Sequence, residues 1–354
     1  MSADRGYPED PPFLGSGVEW VDSVMAGLNL EQRISQMIMV AAYSRQGDVN
    51  VKQLERLVSK EGIGGLIFFQ GNPVKQANLS NRLQSLADVP LLIAMDAENG
   101  LGMRLDSCVT YPPQMILGAL GGDAAIYRMG RDMARQMKRL GVHMNLAPVA
   151  DVNNNPLNPV IHTRSFGSDP SGVSKKVVAL VRGMQDQHIL VAAKHFPGHG
   201  DTETDSHHAL PRIDHAPVHL DSVELRPFRE AIKAGITGIM SGHLEVPAME
   251  ADPGRASSMS ASIIRGVLRD KLEFRGLVVT DALNMRSLSA LPADGSRALE
   301  AVKAGNDILL MPSNVPAAVT AIKRALKRGE IREATINASC RRILEAKYWA
   351  GAHH

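Results

Sequence analysis

The stretch KAGITGIMSGH (residues 233–243) contains the pattern that decides the fold. Lys233 and Gly235 have the composition of a helix C-terminus, where a basic side chain complements the helix dipole and a glycine ends the helix. The run that follows is short, apolar and partly β-branched, which is typical of a strand buried in a parallel sheet. The stretch therefore predicts a helix, a tight turn and a buried strand in immediate succession.

The same succession recurs along the chain, because KEGIGG, RLGVHM and KAGNDI also join a basic residue, a glycine and an apolar run. Strands are predicted at residues 36–42, 64–69, 90–96, 142–149, 189–196, 236–243, 277–282 and 307–311. Amphipathic helices are predicted at residues 51–60, 124–140, 173–187, 221–234 and 315–328. Strands and helices that alternate in this way predict an α/β fold, a single-domain (β/α)8 TIM-type barrel. A doubly wound open sheet is the alternative, because the number of strands does not prove closure.

Composition limits the class of protein. The chain has 354 residues, 44% of them apolar, so it can bury a full core. Its 39 basic and 37 acidic residues are spread along the sequence, and the net charge of +2 does not indicate a nucleic-acid surface. No apolar run approaches the roughly 18–20 residues of a membrane span, and no export signal is recognisable. Two cysteines, Cys108 and Cys340, have no metal-type spacing and fit a reduced compartment.

These properties predict a cytoplasmic protein without a nucleic-acid or membrane partner. Residues 1–29 are predicted to form an N-terminal extension, and residues 30–350 the barrel domain. We expect the chain to be a monomer or a weak homodimer.

Polar side chains stand at the ends of several predicted strands, although a barrel interior prefers Val, Ile and Leu. They are Asp96 after the third strand, Asp151 after the fourth, Lys194 and His195 on the fifth, His243 on the sixth and Asp281 on the seventh. Barrel enzymes carry their chemistry at the carboxyl ends of the strands. The positions therefore predict an active site at that face, although each side chain taken alone could be a hydrogen-bonded structural residue.

The loop KHFPGHGDTETDSHHALP (194–211) has the highest density of titratable groups. Asp205 stands two residues before His207, where a carboxylate can accept an imidazole N–H, fix the tautomer and raise the basicity of the ring. The other ring nitrogen can then donate and later retrieve a proton. Asp205 and His207 are therefore a candidate acid/base pair, and a solvated surface loop is the simpler alternative.

A metal site is a further interpretation of this loop, because strand-end histidines and aspartates bind metals in some barrel hydrolases. The candidate ligands are His195, His199, Asp201, Asp205, His207 and His208. The ammonium group of Lys194 would compete with a cation, and the first predicted strand, within SQMIMVAAY, offers no ligand.

KHFPGHGD followed by DSH resembles the loop signature of the bacterial β-N-acetylglucosaminidase branch of glycoside hydrolase family 3. Three further stretches are similar to family segments and occur in the expected order, so the resemblance covers roughly residues 30–345. They are MDAENGLGMRL (95–105), NLAPVADVNNNPLNPVIHTRSFG (145–167) and GLVVTDALNM (276–285).

The resemblance implies a role for each matching position. Asp281 would be the nucleophile that forms a covalent glycosyl-enzyme, and His207, partnered by Asp205, would be the acid/base. The hydroxyls and the N-acetyl group of the terminal sugar would be held by Asp96, Arg104, Arg164, Lys194 and His195. No metal and no cofactor are implied.

The implied function is that of a retaining exo-β-N-acetylglucosaminidase acting on oligosaccharides or peptidoglycan fragments. Two departures concern the pocket: Asn99 stands where the family has the first glycine of E-G-G, and DALNM replaces D-D-L-S-M. Neither removes a catalytic group, and both bear on the sugar preference rather than on the reaction class. A phosphorylase or a β-glucosidase on the same site, a metal-dependent barrel hydrolase and an inactive sugar-binding module are the alternatives.

Overall fold

Eight parallel strands form one sheet in the computed structural model, which describes residues 10–45, 48–206 and 208–353. The strands are β1 (Ile38–Ala42), β2 (Gly65–Phe68), β3 (Leu92–Met95), β4 (Met144–Asn145), β5 (Leu190–Phe196), β6 (Gly238–Ser241), β7 (Leu277–Thr280) and β8 (Leu309–Leu310). Each lies within a predicted strand. Neighbours in the sheet follow the order β7-β6-β5-β4-β3-β2-β1-β8.

The two ends of this order meet, so the sheet is closed. Val279 of β7 forms a parallel bridge with Ile308, and the amide of Thr280 donates to the carbonyl of Ile308 at 2.9 Å. The amide of Leu283 donates to the carbonyl of Leu310 at 2.8 Å. These contacts confirm the predicted (β/α)8 barrel and exclude the open sheet.

Helices surround the barrel. They are α1 (Val18–Gly27), α2 (Leu30–Gln36), α3 (Asp48–Ser59), α4 (Pro73–Gln84), α5 (Gln114–Gly118), α6 (Ala124–Arg139), α7 (Pro170–Gln185), α8 (Pro217–Ser222), α9 (Leu225–Lys233), α10 (Ser296–Ala304), α11 (Val315–Lys327) and α12 (Glu333–Trp349). Residues Ser262–Lys271 form a π-helix, and single 3-10 turns occupy Leu101–Met103, His162–Arg164, Ser257–Met259 and Arg286–Leu288. Gly141 and Gly235 have positive φ angles of 66° and 71° after α6 and α9, as the sequence pattern predicts.

The prediction of one helix over residues 221–234 is wrong. The segment is divided between α8 and α9, and Glu224 lies at the break. Pro227 has no N–H to donate to the carbonyl of Val223, four residues earlier, so a continuous helix would lose a hydrogen bond there. The break determines where the Glu224 side chain lies.

The segment predicted as an N-terminal extension includes α1, which packs on α12 through the rings of Trp20 and Tyr348, 6.0 Å apart. Residues 1–9 lie outside the described residues, and the proposed boundary between extension and barrel stays a prediction. Cys108 and Cys340 are free thiols. Among the helices that the structure describes, none combines the length and the apolar character needed to cross a membrane.

Candidate active site

A pocket of about 400 Å³ opens at the carboxyl ends of the strands. Asp281 and the five predicted sugar-binding residues all line it: Asp96, Arg104, Arg164, Lys194 and His195. Parallel strands place their carboxyl ends on one face, which brings together residues that are nearly 200 positions apart in the sequence. Ser206 of the 194–211 loop also lines the pocket, whereas His207 lies outside the described residues.

Lys194 of β5 lies at the centre of a buried charge network. Its Nζ atom is 2.7 Å from Oδ1 of Asp96 and 2.9 Å from Oε1 of Glu98. Burial opposes the charge on the ammonium, but the two carboxylates outweigh it and raise the pKa of Lys194. The side chain is therefore a cation at neutral pH, fixed at the edge of the pocket.

Two arginines complete the network. Arg164 binds Glu98 in a bidentate arrangement, with Nε to Oε2 at 2.9 Å and Nη2 to Oε1 at 2.7 Å. Arg104 donates from Nε to the carbonyl of Asp96 and pairs with its carboxylate at 3.2 Å. Burial alone would raise the pKa of Glu98, but Lys194 and Arg164 hold it well below its usual range. Three cations therefore face two carboxylates, and Asp281 is the third anion on the pocket wall.

Glu98 also lines the pocket, although it was not among the predicted site residues. Its signal was present, because Glu98 follows β3 by only three residues and belongs to the segment MDAENGLGMRL. The sequence did not indicate that this carboxylate lies between Lys194 and Arg164, which are 96 and 66 residues away along the chain.

Asp281 directly follows β7 and directs its carboxylate to the pocket. Its Oδ1 atom accepts the N–H of Ala282 at 2.7 Å. Burial alone would raise the pKa of Asp281, but the imidazole groups of His243 and His195 and the Ala282 N–H together hold it below its ordinary value. The group is therefore a carboxylate at neutral pH.

His243, after β6, supports this arrangement from behind. The ring is fully buried, with Nδ1 2.7 Å from the Ser258 hydroxyl and Nε2 3.1 Å from the carbonyl of Ala282. A carbonyl can only accept, so Nε2 carries the proton, and burial lowers the pKa of the ring so that it stays neutral. His243 thus fixes Ala282, the residue whose N–H holds the carboxylate of Asp281.

Asp151, after β4, orients His195. The buried carboxylate accepts the backbone N–H groups of His195 and His199 at 3.0 and 2.7 Å, and its Oδ2 lies 2.7 Å from Nδ1 of His195. Because a carboxylate only accepts, Nδ1 carries the proton. Nε2 is then the ring nitrogen left to accept a hydrogen bond on the pocket side.

The loop predicted to carry the acid/base pair is anchored at its start. His199 is buried, with Nδ1 2.7 Å from Thr202 Oγ1 and Nε2 3.1 Å from Ser206 Oγ. Burial lowers the pKa of His199 to about 4. Asp205 is partly exposed, and its carbonyl accepts the N–H groups of His208 and Ala209.

The candidate metal ligands of this loop are dispersed within the described residues. His195 is bound to Asp151, and His199 is bound to two hydroxyls. Only Asp201 joins a group that could hold an ion, together with His215 and His219. That group does not line the pocket.

An apolar wall, which was not predicted from the sequence, closes one side of the pocket. The rings of Tyr43 and Phe69 stack with centroids 5.5 Å apart, and the guanidinium of Arg104 lies over Phe69 at 5.1 Å. Met240 and Met311 also line the cavity. A polar network facing aromatic and methionine side chains suits a sugar ring, which has both hydroxyl edges and apolar C–H faces.

Comparisons with known proteins agree on one family. The family model of the glycosyl hydrolase family 3 N-terminal domain matches residues 29–346. Beta-hexosaminidase A of Pseudoalteromonas piscicida is 38% identical over 285 residues, which cover 73% of this chain and 47% of that protein. Beta-hexosaminidase LpqI of Mycobacterium tuberculosis is 29% identical over 336 residues, covering 92% of this chain and 84% of that protein.

The fold has a close counterpart among solved structures. A glycoside hydrolase family 3 beta-N-acetylglucosaminidase from Paenibacillus sp. FPU-7 superposes with a TM-score of 0.86 at 38% identity, covering 92% of this chain and 64% of that one. The chain spans about half the length of the Pseudoalteromonas relative and just under two thirds of the Paenibacillus protein.

Proposed function

The chain belongs to glycoside hydrolase family 3, because it matches the N-terminal domain of that family, and on this premise we propose that it is a retaining exo-β-N-acetylglucosaminidase. The observation that carries the proposal is Asp281, a charged carboxylate held by the Ala282 N–H in a pocket with a dense polar network. An ionised carboxylate fixed beside a sugar-sized cavity is what nucleophilic attack on an anomeric carbon requires.

In the proposed mechanism, Asp281 forms a covalent glycosyl-enzyme and the aglycone leaves. The low pKa of Asp281 keeps the nucleophile ionised, and the neutral His243 prevents the Ala282 N–H from moving away. The carbonyl oxygen of Ala282 is held by His243 while its N–H holds Asp281, so the two ends of one residue are fixed together.

We assign recognition of the sugar to the network around Lys194. Asp96 offers carboxylate acceptors, whereas Lys194, Arg104 and Arg164 offer donors, so vicinal hydroxyls can each donate and accept at once. His195 adds an acceptor nitrogen, whose tautomer is set by Asp151.

We assign proton transfer to His207, with Asp205 as its partner. A protonated imidazole donates to the glycosidic oxygen as the bond breaks, and the neutral ring then takes a proton from the attacking water. Asp205 accepts the other ring N–H and stabilises the imidazolium. This assignment rests on the spacing in DSH and on the position of Ser206, the neighbouring residue, at the pocket.

The proposed substrate is a β-linked N-acetylglucosamine at the end of an oligosaccharide or a peptidoglycan fragment. The names of the relatives support the sugar, since two are β-hexosaminidases and one a β-N-acetylglucosaminidase. We further propose a cytoplasmic location without a nucleic-acid or membrane partner. The proposed oligomeric state is a monomer or a weak homodimer, which light scattering would measure.

Release of p-nitrophenol from its β-N-acetylglucosaminide tests the proposal in wild type, Asp281→Asn and Asp270→Asn. Asp270 is exposed on the π-helix and serves as the matched control. We expect Asp281→Asn to lose on the order of 10⁴-fold or more in kcat, the scale seen when a covalent nucleophile is removed, and the control to match wild type. Equal activity in Asp281→Asn would overturn the nucleophile assignment.

The product distinguishes hydrolysis from phosphorolysis. In phosphate buffer, a hydrolase releases free N-acetylglucosamine with the β configuration retained at first. N-acetylglucosamine 1-phosphate as the main product would instead identify a phosphorylase on the same site.

A further inference from the structure

A second cluster of titratable side chains lies outside the pocket and joins the 194–211 loop to the segment around α8. Asp201, His215 and His219 each offer a ligand atom, and these atoms all lie within 4.8 Å of one another. His215 precedes α8 and His219 lies within it, and their rings are 4.1 Å apart. Nε2 of His215 is hydrogen-bonded to Oδ2 of Asp201. The 194–211 loop and the α8 segment thus place two imidazoles and one carboxylate close together.

Glu224 adds a fourth group to the cluster. The side chain sits at the break between α8 and α9 and is only 2% exposed. Within the described residues, neither of its carboxylate oxygens has a hydrogen-bond partner, and neither has Nε2 of His219. Oε1 of Glu224 lies 3.5 Å from that nitrogen. A buried carboxylate that is served by no side-chain donor is costly unless a cation is supplied.

The side chains that act electrostatically on Glu224 belong to the same cluster. Burial raises the pKa of Glu224, its own nearby backbone N–H, His219 and His215 lower it, and Asp201 raises it. The backbone of the 194–211 loop presses against this residue, since a Cβ at Gly198 would stand 2.7 Å from the Cβ of Glu224. Glu224 is therefore fixed in place between the loop and the helices, with its oxygens next to two imidazoles.

We propose that Asp201, His215, His219 and Glu224 bind one divalent transition-metal ion of the zinc type. Two imidazole nitrogens and two carboxylate oxygens form a ligand set suited to Zn²⁺. A tetrahedral ion with bonds of about 2.0–2.2 Å holds its ligand atoms roughly 3.3–3.6 Å apart. The ligand atoms of Asp201, His215 and His219, all within 4.8 Å of one another, must therefore contract on binding, and the Glu224 carboxylate, 3.5 Å from Nε2 of His219, must turn towards the other two ligands. The ion replaces the Asp201–His215 hydrogen bond, and the displaced proton passes to solvent.

A site closed by four protein ligands leaves no open position for a reacting water, so its role is structural. Asp201 precedes Asp205 by four residues in the same loop, and the ion therefore ties that loop to α8 and to Glu224. The consequence for catalysis, that the ion holds the acid/base loop in place, rests on the proposed function. Metal binding itself does not rest on the proposed function.

The test uses the full chain, stripped with a chelator and then desalted. Titration with ZnCl2 in a calorimeter measures affinity and stoichiometry, and Co²⁺ serves as a spectroscopic probe. We expect one ion per chain, intense visible absorption from tetrahedral Co²⁺, a rise in the melting temperature with zinc, and slower amide exchange in residues 199–206.

Two variants decide whether the ion sits in this cluster. His219→Ala removes a partly exposed ligand, and Glu224→Gln keeps the buried shape while removing the charge. Both should weaken zinc binding by more than the roughly 10- to 100-fold that loss of an outer partner costs. His208→Ala, an exposed histidine of the same loop outside the cluster, should bind zinc like wild type.

Absence of stoichiometric zinc binding in the wild type would overturn the inference, as would undiminished binding in both folded variants. Failure of the proposed function is recognised separately. A chain that binds zinc but does not release p-nitrophenol refutes only the glycosidase, and a chain that hydrolyses the substrate but binds no zinc refutes only the cation site.

Discussion

The ammonium of Lys194 and the carboxylate of Glu98 form a buried ion pair, with Nζ 2.9 Å from Oε1, and the same oxygen also accepts from Arg164 at 2.7 Å. One carboxylate therefore compensates two cations on the wall of the pocket. Since Glu98 is only 4% exposed, water cannot take over this role when the charge is removed.

We predict that Glu98→Gln destabilises the fold and weakens substrate binding. Removing one partner of a buried pair costs about 3–5 kcal/mol, and the two cations left behind will shift from their positions. KM for the p-nitrophenyl substrate should rise more than kcat falls, because the substitution changes sugar recognition and leaves Asp281 in place. Urea denaturation and initial-rate kinetics measure the two effects.

The matched control is Glu333→Gln, which removes an exposed partner of Arg33, 3.6 Å away. Surface pairs of this kind contribute about 0–1 kcal/mol, so stability and KM should stay near wild type. A Glu98→Gln protein as stable as this control would contradict the view that the buried charge is needed.

A second prediction concerns Asp151 as a positioning residue. In Asp151→Asn, the amide N–H₂ group can face Nδ1 of His195, which then becomes the acceptor and moves its proton to Nε2. The pocket nitrogen changes from acceptor to donor, so kcat/KM should fall on the order of 100-fold, equal to roughly 2.7 kcal/mol. The two backbone N–H groups of His195 and His199 keep an oxygen acceptor, so the melting temperature should change far less than for Asp151→Ala.

Nuclear magnetic resonance of labelled imidazole nitrogens reports the tautomer directly. Wild type should show a protonated Nδ1 for His195, and Asp151→Asn a protonated Nε2. An unchanged tautomer together with a lowered kcat/KM would mean that Asp151 acts through packing alone.

A third prediction is that His199 makes the fold sensitive to mild acid. Its pKa is about 4 in the folded chain against an ordinary value near 6.5, so between these pH values the unfolded chain binds a proton that the folded chain does not. Stability is therefore unaffected above pH 6.5 and falls as the pH drops towards 4, by up to about 3 kcal/mol from this group. His199→Gln should flatten this slope, whereas His208→Gln, at an exposed position, should not; denaturant titrations from pH 7 to pH 4.5 compare them.

The strands were predictable because each is a short apolar run. Their number and the crossover rule favoured a closed barrel, but the contacts between the strand β7 and the segment of β8 were needed to establish closure. The hydrogen-bond partners that lie on different strands and loops of the barrel were not predictable. Asp151 could be placed at a strand end from the sequence, but not the fact that it accepts three N–H groups from residues 44 and 48 positions later. Such contacts depend on how neighbouring loops bend, which periodicity does not encode.

The same limit explains the site residues that were missed. Glu98 is separated from Lys194 by 96 residues, and only the barrel brings them together. His215 and His219 were not singled out in the sequence, and the predicted helix over 221–234 concealed the break at which Glu224 lies. Pro227 was the available signal, because a proline in a helical pattern removes a hydrogen bond four residues earlier.

The last prediction concerns Lys347 of α12, which is fully buried and donates to Oε1 of Gln36 at 2.7 Å. Burial lowers its pKa to about 7 from an ordinary 10.5, so the unfolded chain holds a proton more firmly between these values. The loss of stability caused by burying the Lys347 ammonium is largest at pH 7 and below, and it shrinks as the pH rises towards 10.5. Lys347→Met should therefore stabilise the chain by about 1–3 kcal/mol at pH 7, after allowing for the donor that Gln36 loses. The gain should shrink or vanish at pH 9.5, while Lys327→Met, an exposed control on α11, should gain nothing at either pH. Urea denaturation at the two pH values makes the comparison, and a gain that does not depend on pH would show that packing, not the buried charge, sets the stability of this helix.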